Sequence, residues 1–201
     1  MDPTETQPPC VLRANDYRRE RWRNGAGWTR QIHAEPSKMA GFDWDWRLSI
    51  AEVDADAPFS IFPGVERELV LLQGNGLRLR FEDGASQELM PPHERMRFSG
   101  ERALAGELLD GPTVDFNLMW RRDAVNAQLW HRPLVGTMLV FVEPGDTWAL
   151  HLLGGTAHFS AGAAGNAMVV GDTALLRSGR GRRRYMLEGG GELLVICISP
   201  L

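Results

Sequence analysis

Short stretches of alternating apolar and polar residues recur along most of this chain, with turn-forming residues between them. Trp44–Val53 alternates in this way, and so does Leu77–Phe81 before the turn Glu82–Gly84. A period of two is typical of a half-buried β-strand, and strands that recur about every 8–12 residues are typical of sandwiches and barrels. Helical periodicity is nearly absent, and Arg121–Trp130 is the best candidate for a helical turn. The pattern predicts an all-β protein.

The strand pattern leaves the domain organisation open. A chain of 201 residues can form one large domain or two small ones. One set of strands ends near residue 110 and another begins near residue 115. Two β-barrel lobes of about 90–100 residues fit this spacing, and a single large sandwich fits it equally well.

Composition excludes several classes of partner. The apolar fraction of 43% and the charged fraction of 24% are ordinary for a globular protein. The net charge of -4 gives no general attraction to nucleic acid or to anionic membranes. Residues 1–10 lack the basic start and apolar stretch of a signal peptide, and no window approaches the roughly 20 apolar residues of a membrane helix. We therefore expect a cytoplasmic protein that binds neither nucleic acid nor membrane.

The histidines and cysteines do not predict a metal site. No two of the five histidines are separated by one residue, the spacing that points two imidazoles of one strand at the same ion. His151 and His158 flank Gly154–Gly155 and would face each other if these glycines formed a hairpin turn. Cys10 and Cys197 form no paired motif. We expect no metal and no cofactor.

Four segments combine strand-forming residues with polar groups that a plain core would not need: Trp22–Thr29, Trp46–Ala51, Phe59–Arg67 and Asp115–Arg122. In the first, Gly25 and Gly27 suit a backbone bend that other residues avoid. Asn24 either holds this bend through its side chain or lines a pocket. In the third, Pro63–Gly64 suits a turn.

Arg47 and Ser49 lie on the face of their strand opposite the apolar residues. This polar face is either solvated or directed into a lobe. In the second case the guanidinium requires a carboxylate, either from a ligand or from Glu52, Glu66 or Glu68. Further candidates are Arg67, whose planar fork suits a carboxylate, and Asn117, which either links strands or contacts a ligand.

Together the four segments resemble the HutD/Ves family of two-lobed cupin proteins. Trp22–Thr29 is similar to the family signature Trp-Lys/Arg-Asn-Gly-Gly/Leu-Gly-x-Thr, with mild variations at Ala26 and Trp28. Phe59–Arg67 is similar to Phe-Ser-x-Phe-Pro-Gly-x-Asp/Glu-Arg. The resemblance extends over about residues 12–199.

This resemblance implies an all-β bicupin, with two cupin-type β-barrel (jelly-roll) lobes packed in one compact unit. The expected parts are a flexible tail at residues 1–11, a first lobe at 12–110 and a second lobe at 111–201. It also implies a non-catalytic binder of a small carboxylate such as N-formylglutamate, which limits the induction of histidine utilisation. Ves-type members are instead associated with cold or stress response. The expected ligand-binding residues are Asn24, Arg47, Ser49, Ser60, Phe62, Arg67 and Asn117.

Two alternatives stay open. A cupin enzyme, an isomerase or hydrolase acting on a sugar or a formyl-amino acid, would need Glu52, Glu66 or His151 as its acid or base. A purely structural or oligomeric partner protein is the second alternative, and a homodimer would form if an open barrel edge pairs with a second copy. We expect the small carboxylate to be the main partner and no residue to be catalytic.

Overall fold

The computed structural model describes residues 8–160 and 166–201, and β-strands dominate both ranges. This confirms the predicted all-β class. A short 3-10 turn lies at Ala14–Asp16. The helical turn expected at Arg121–Trp130 is wrong, because Arg121 ends one strand and Val125 begins the next. Within the described ranges, no helix has the length and apolar character needed to cross a membrane.

In chain order the strands are β1 (Cys10–Leu12), β2 (Arg18–Arg21), β3 (Gly27–Pro36), β4 (Trp44–Val53), β5 (Ala57–Pro58), β6 (Val65–Gln73), β7 (Leu77–Phe81), β8 (Ser86–Leu89), β9 (Arg95–Ser99), β10 (Leu104–Leu108), β11 (Thr113–Arg121), β12 (Val125–Val142), β13 (Thr147–Phe159), β14 (Ala167–Met168), β15 (Thr173–Arg177) and β16 (Arg183–Pro200). They form two compact units. The first unit is Tyr17–Val125, and the second joins the residues before Tyr17 to Asn126–Leu201.

The first unit contains two antiparallel sheets. One has the order β2-β3-β4-β11-β6-β9 and the other the order β5-β10-β7-β8. Leu69 and Leu71 of β6 pack with Leu77, Leu79 and Phe81 of β7 in a buried core. Two sheets joined through a shared apolar core are typical of a cupin-type jelly roll, and alternation along each strand places every second side chain in that core.

The second unit is built on one sheet with the order β1-β15-β13-β16-β12, in which β14 also pairs with β13. Its core includes Leu150, Leu152, Leu176 and Leu187. β13 runs through Gly154–Gly155 with a register shift instead of turning there. The hairpin that would bring His151 and His158 face to face is therefore absent from this described strand, and the two histidines lie seven positions apart on it.

The unit boundaries differ from the expected ones. β11 lies between β4 and β6, so that the first unit continues past residue 110 to Val125. Part of the expected flexible tail is ordered, because Cys10–Leu12 pairs with β15. Asp172 fixes the chain just after this strand, where it accepts hydrogen bonds from Arg13 Nη1 at 2.8 Å and from the Ala14 amide at 2.9 Å. Residues 1–7 of that tail lie outside the described residues.

Candidate functional site

The first unit contains a cavity of about 520 Å³. Sixteen residues line it, and all sixteen belong to the range Tyr17–Val125. They include all seven residues expected to bind a ligand: Asn24, Arg47, Ser49, Ser60, Phe62, Arg67 and Asn117. The structure thus brings together residues that are up to 93 positions apart in the chain, from Asn24 to Asn117.

Strand register explains why these residues meet. On the central strand β11, Met119 lies opposite Arg47 of β4 on one side and opposite Arg67 of β6 on the other. Asn117, two residues away, lies opposite Ser49. Side chains in register share one face of a sheet, so these polar groups form a single wall. The polar face of β4 therefore borders the cavity, and the fully solvated alternative is wrong.

Arg67 is the most buried cation of the cavity, with 6% of its surface exposed. Its Nη2 donates to Asn117 Oδ1 at 3.1 Å, and its Nη1 makes a long contact of 3.4 Å with the carbonyl oxygen of Ser60. Its Nε is buried without a hydrogen-bond partner among the described residues. Three rings lie 5.2 to 5.7 Å from the guanidinium carbon: Phe59, Phe62 and Phe98.

Arg47 is also incompletely satisfied. Its Nε is buried and has no hydrogen-bond partner among the described residues. The three glutamates considered as its partners are each paired with other arginines: Glu52 with Arg19 and Arg30, Glu66 with Arg97 and Arg122, and Glu68 with Arg95. Glu52 also has the opposite strand parity to Arg47, which turns it to the other face of β4. Over the described residues, neither Arg47 nor Arg67 forms an ion pair.

Burial changes the proton affinity of these groups. It lowers the pKa of Arg47, against the opposing effect of the Glu20 carboxylate. It lowers the pKa of Arg67 to about 10, where Asp115 opposes the change and Arg47 adds to it. The Arg67 guanidinium therefore stays positively charged at neutral pH, about three pH units below its pKa.

The segment Trp22–Gly27 borders the cavity as a tight bend. Gly25 has a φ of 74°, in the left-handed region that favours glycine. A Cβ at Gly27 would lie 2.3 Å from the carbonyl oxygen of Glu52, so only glycine fits there. Asn24 Oδ1 accepts a hydrogen bond from the Ala26 amide at 3.1 Å. The two roles considered for Asn24 are thus compatible, since it holds the bend and also lines the cavity.

Comparison with known proteins gives the family. The model of the HutD family matches residues 14–195. The chain belongs to the HutD family. A protein named for the 3′ region of hutC in Pseudomonas putida is 39% identical over 120 residues, which cover 59% of this chain and 62% of that protein. Protein Ves of Cronobacter sakazakii is 40% identical over 109 residues, which cover 54% of this chain and 58% of that protein.

A solved structure extends this likeness over the whole fold. HutD from Pseudomonas fluorescens SBW25 superposes with a TM-score of 0.83 at 25% identity, and the match covers 96% of this chain and 100% of that one. The matches to the two curated relatives, by contrast, span only about 60% of their length, at 62% and 58%. The resemblance to the HutD/Ves family and the cupin-type fold are confirmed.

Nine further residues of the HutD-family cavity were missed by sequence reasoning: Glu20, Arg21, Trp22, Arg23, Thr29, Ala51, Pro58, Phe59 and Met119. Strand parity could have found Ala51 and Met119, which lie two positions from Ser49 and Asn117. Trp22 and Thr29 belong to the signature segment and contact each other, because Trp22 Nε1 donates to Thr29 Oγ1 at 2.8 Å. Arg23 belongs to the same segment, at the Lys/Arg position of the signature, whereas no sequence signal pointed to Arg21.

The lining of this HutD-family cavity suits an anion. It contains four arginines, and Glu20 is its one carboxylate among the described residues. The described lining includes no histidine and no cysteine, the side chains that zinc, iron and copper sites rely on. Glu52 and Glu66, two of the residues an enzyme would need, are paired with arginines and do not line the cavity, and His151 belongs to the second unit.

Proposed function

We propose that this HutD-family protein binds a small carboxylate in the cavity of its first unit and acts as a non-catalytic regulator. The observation that carries the proposal is the state of Arg47 and Arg67. Each guanidinium has a buried Nε without a partner among the described residues, and neither forms an ion pair there. No described carboxylate contacts either guanidinium directly, and incomplete compensation of a buried charge costs several kcal/mol. A ligand carboxylate would remove that cost.

The chemistry of the guanidinium suits a carboxylate. Its Nε and Nη atoms form a planar fork that matches the two oxygens of a carboxylate. Asn117 and the surrounding rings hold the Arg67 fork in place and exclude water from it. Hydrogen bonds to charged groups contribute about 1.5–3 kcal/mol, more when water is excluded.

The ligand we favour is N-formylglutamate. A cavity of about 520 Å³ falls within the range of small-molecule sites, which is roughly 300–1,000 Å³. This acid has two carboxylates, which matches two unpaired guanidiniums, and an amide that Ser49 or Asn24 can hydrogen-bond. The P. putida relative is named for a position beside hutC. These points support a role in which the protein limits the induction of histidine utilisation by binding a pathway acid.

A thermal-shift screen of the purified full chain tests this proposal. The ligands are N-formylglutamate, urocanate and formate, at concentrations up to saturation. A ligand at about 100 times its Kd stabilises the folded state by about 2.7 kcal/mol, which corresponds to a rise in Tm of roughly 5–10 °C. Arg47→Ala and Arg67→Ala should abolish the shift. Arg80→Ala, an exposed arginine of the same unit, is the matched control and should keep it.

Two results of the thermal-shift screen would contradict the proposal. If no carboxylate raises the Tm of the wild-type protein, the binding role is wrong. If both cavity variants respond like the wild type, the protein binds a carboxylate at another place.

A further inference from the structure

Asp115 is a buried acid next to the cavity that the binding role of the arginines leaves unexplained. Its surface is 0% exposed. Asn117 Nδ2 donates to Asp115 Oδ1 at 3.1 Å, and Asp115 Oδ2 is buried without a partner among the described residues. Because Asn117 also accepts a hydrogen bond from Arg67, one amide connects the acid to the guanidinium.

The surroundings of Asp115 contain few other charges. In the sheet it lies opposite Ala51 of β4 and Leu71 of β6, and Leu71 packs in one core with the buried Leu77 and Leu79 of the facing sheet. The charged residues of the cavity lining are Glu20 and Arg21 of β2, Arg23, Arg47 of β4 and Arg67 of β6. Charged residues of the facing strands pair among themselves: Arg78 with Glu88 and Glu107, and Arg80 with Glu107. Arg67 is therefore the cation to which Asp115 is linked.

We propose that Asp115 is the internal counter-charge of Arg67, and that a ligand carboxylate takes over this role while Asp115 accepts one proton from solvent. The inference rests on the proposed function, since it requires a carboxylate to reach Arg67. Two anions beside one guanidinium repel each other strongly in a region of low dielectric constant. Protonation of the acid removes this repulsion and leaves the net charge of the buried group unchanged.

The pKa of Asp115 agrees with such an exchange. Burial raises it to about 7, and the positive charge of Arg67 and the hydrogen bond from Asn117 oppose this rise. A bound anion cancels the effect of Arg67, so that the pKa of Asp115 rises further and the acid takes up a proton near neutral pH. By linkage, ligand affinity then falls as the pH rises above about 7, by up to about tenfold per pH unit.

Isothermal titration calorimetry of the full chain with N-formylglutamate tests the coupling. Titrations at one pH in buffers of different ionisation enthalpy give the number of protons taken up. At pH about 7.5 we expect uptake that approaches one proton per ligand, and an affinity that drops several-fold toward pH about 8.5. Asp115→Asn should bind without proton uptake and with little dependence on pH. Asp83→Asn, an exposed acid of the same unit, is the matched control and should behave like the wild type.

The outcomes separate this inference from the proposed function. Binding by the wild type without proton uptake, or equal uptake by Asp115→Asn, overturns the coupling and leaves the binding role intact. Failure of the wild type to bind either N-formylglutamate or formate overturns the binding role, and the coupling with it. If Asp115→Asn does not fold, carboxyl NMR of the wild type replaces it. The pKa of Asp115 should then rise on ligand addition, and an unchanged value would overturn the inference.

Discussion

Two buried arginines of the first unit, Arg121 and Arg67, are satisfied in different ways. Arg121 is 2% exposed, donates to Asp45 Oδ1 at 3.1 Å and to Asp123 Oδ2 at 2.8 Å, and stacks on Phe42. Arg67 is nearly as buried, at 6% exposed, but has one neutral side chain as its hydrogen-bond partner. The first arrangement is an ion-pair cluster. In the second, no described carboxylate contacts the guanidinium directly, and Asp115 is linked to it only through Asn117.

The contrast separates stability from function. An arginine with its own carboxylates fixes local structure, and its removal leaves acids without a partner. A buried arginine without a carboxylate in direct contact destabilises the ligand-free protein. A ligand that supplies this carboxylate removes the destabilisation, and the free energy recovered strengthens its binding. We therefore assign Arg121 a structural role, and the proposed function assigns Arg67 a role in ligand binding.

The largest effect should follow from Arg121→Met. The change leaves Asp45, whose side chain is 19% exposed, without its cation and frees Ser37, which accepts from Arg121 Nη1 at 2.8 Å. We expect a loss of about 3 kcal/mol in the free energy of unfolding, because removing one partner of a buried pair leaves an uncompensated charge. Urea denaturation measures it. Carboxylate binding should persist. If Arg121→Met lost carboxylate binding but kept its stability, Arg121 would act in binding and the structural role assigned to it would be wrong.

The second effect concerns the pH dependence of stability, which should differ between the two regions. The hydrogen bond from Arg121 lowers the pKa of Asp123, whereas burial raises that of Asp115 to about 7. A raised pKa means that the folded state holds the proton more tightly than the unfolded state. The stabilisation is therefore complete below the unfolded value near 4 and is lost as the pH rises to about 7.

Asp115→Asn should remove this dependence. Relative to the variant, the wild type should lose up to about 1.4 kcal/mol of unfolding free energy per pH unit between roughly pH 4 and pH 7. Urea denaturation of both proteins across that range gives the difference curve. A flat difference would mean that Asp115 titrates alike in the folded and unfolded states. Asp123→Asn is the control from the Arg121 cluster and should not reproduce the neutral-pH slope.

The sequence predicts those features that depend on local alternation of apolar and polar residues. Alternation placed Trp44–Val53 and Leu77–Phe81 within the bounds the structure gives to β4 and β7. The same parity placed Arg47 and Ser49 on one face, which the register with β11 turns into a cavity wall. The shared role of the seven expected residues came from the family resemblance, since spacing alone left a solvated face open.

The predictions that disagree with the structure concern features set by pairing between strands that are distant in sequence. The pair Gly154–Gly155 looks like a turn in sequence, because only the pairing of β13 with β16 shows that the strand continues. Residue 110 looked like a boundary, because the sequence does not show that β11 pairs with β4 and β6. The Arg121 cluster joins residues up to 84 positions apart, and no local pattern marks such a contact.

A third, smaller effect should follow from Arg67→Met. The substitution removes a buried cation that no described carboxylate contacts directly, and it fills much of the same space with an apolar chain. Asp115 then loses the positive charge that lowers its pKa and can become neutral by taking up a proton. We expect the free energy of unfolding to change by no more than about 1 kcal/mol, in either direction, because apolar replacement of poorly compensated buried charge is often neutral or stabilising. Affinity for a carboxylate should fall by about 100-fold. Urea denaturation measures the free energy of unfolding, and calorimetry on the same preparation measures the affinity. A stability loss equal to that of Arg121→Met would show that Arg67 has a structural role like that of Arg121.

The smallest effect should come from Arg122→Ala, directly beside Arg121 in sequence. Arg122 has the opposite strand parity, its side chain is 42% exposed, and it pairs with Glu101, which is 39% exposed. Exposed pairs contribute about 0–1 kcal/mol, since water screens them and two long side chains lose freedom. We expect a change of about 0.5 kcal/mol that shrinks further in 1 M salt, where the screening length is about 3 Å. Urea denaturation at low and high salt checks this, with Arg121→Met as the salt-resistant reference. If Arg122→Ala cost as much as Arg121→Met, burial and the completeness of ion pairing would not be what distinguishes the arginines of this unit.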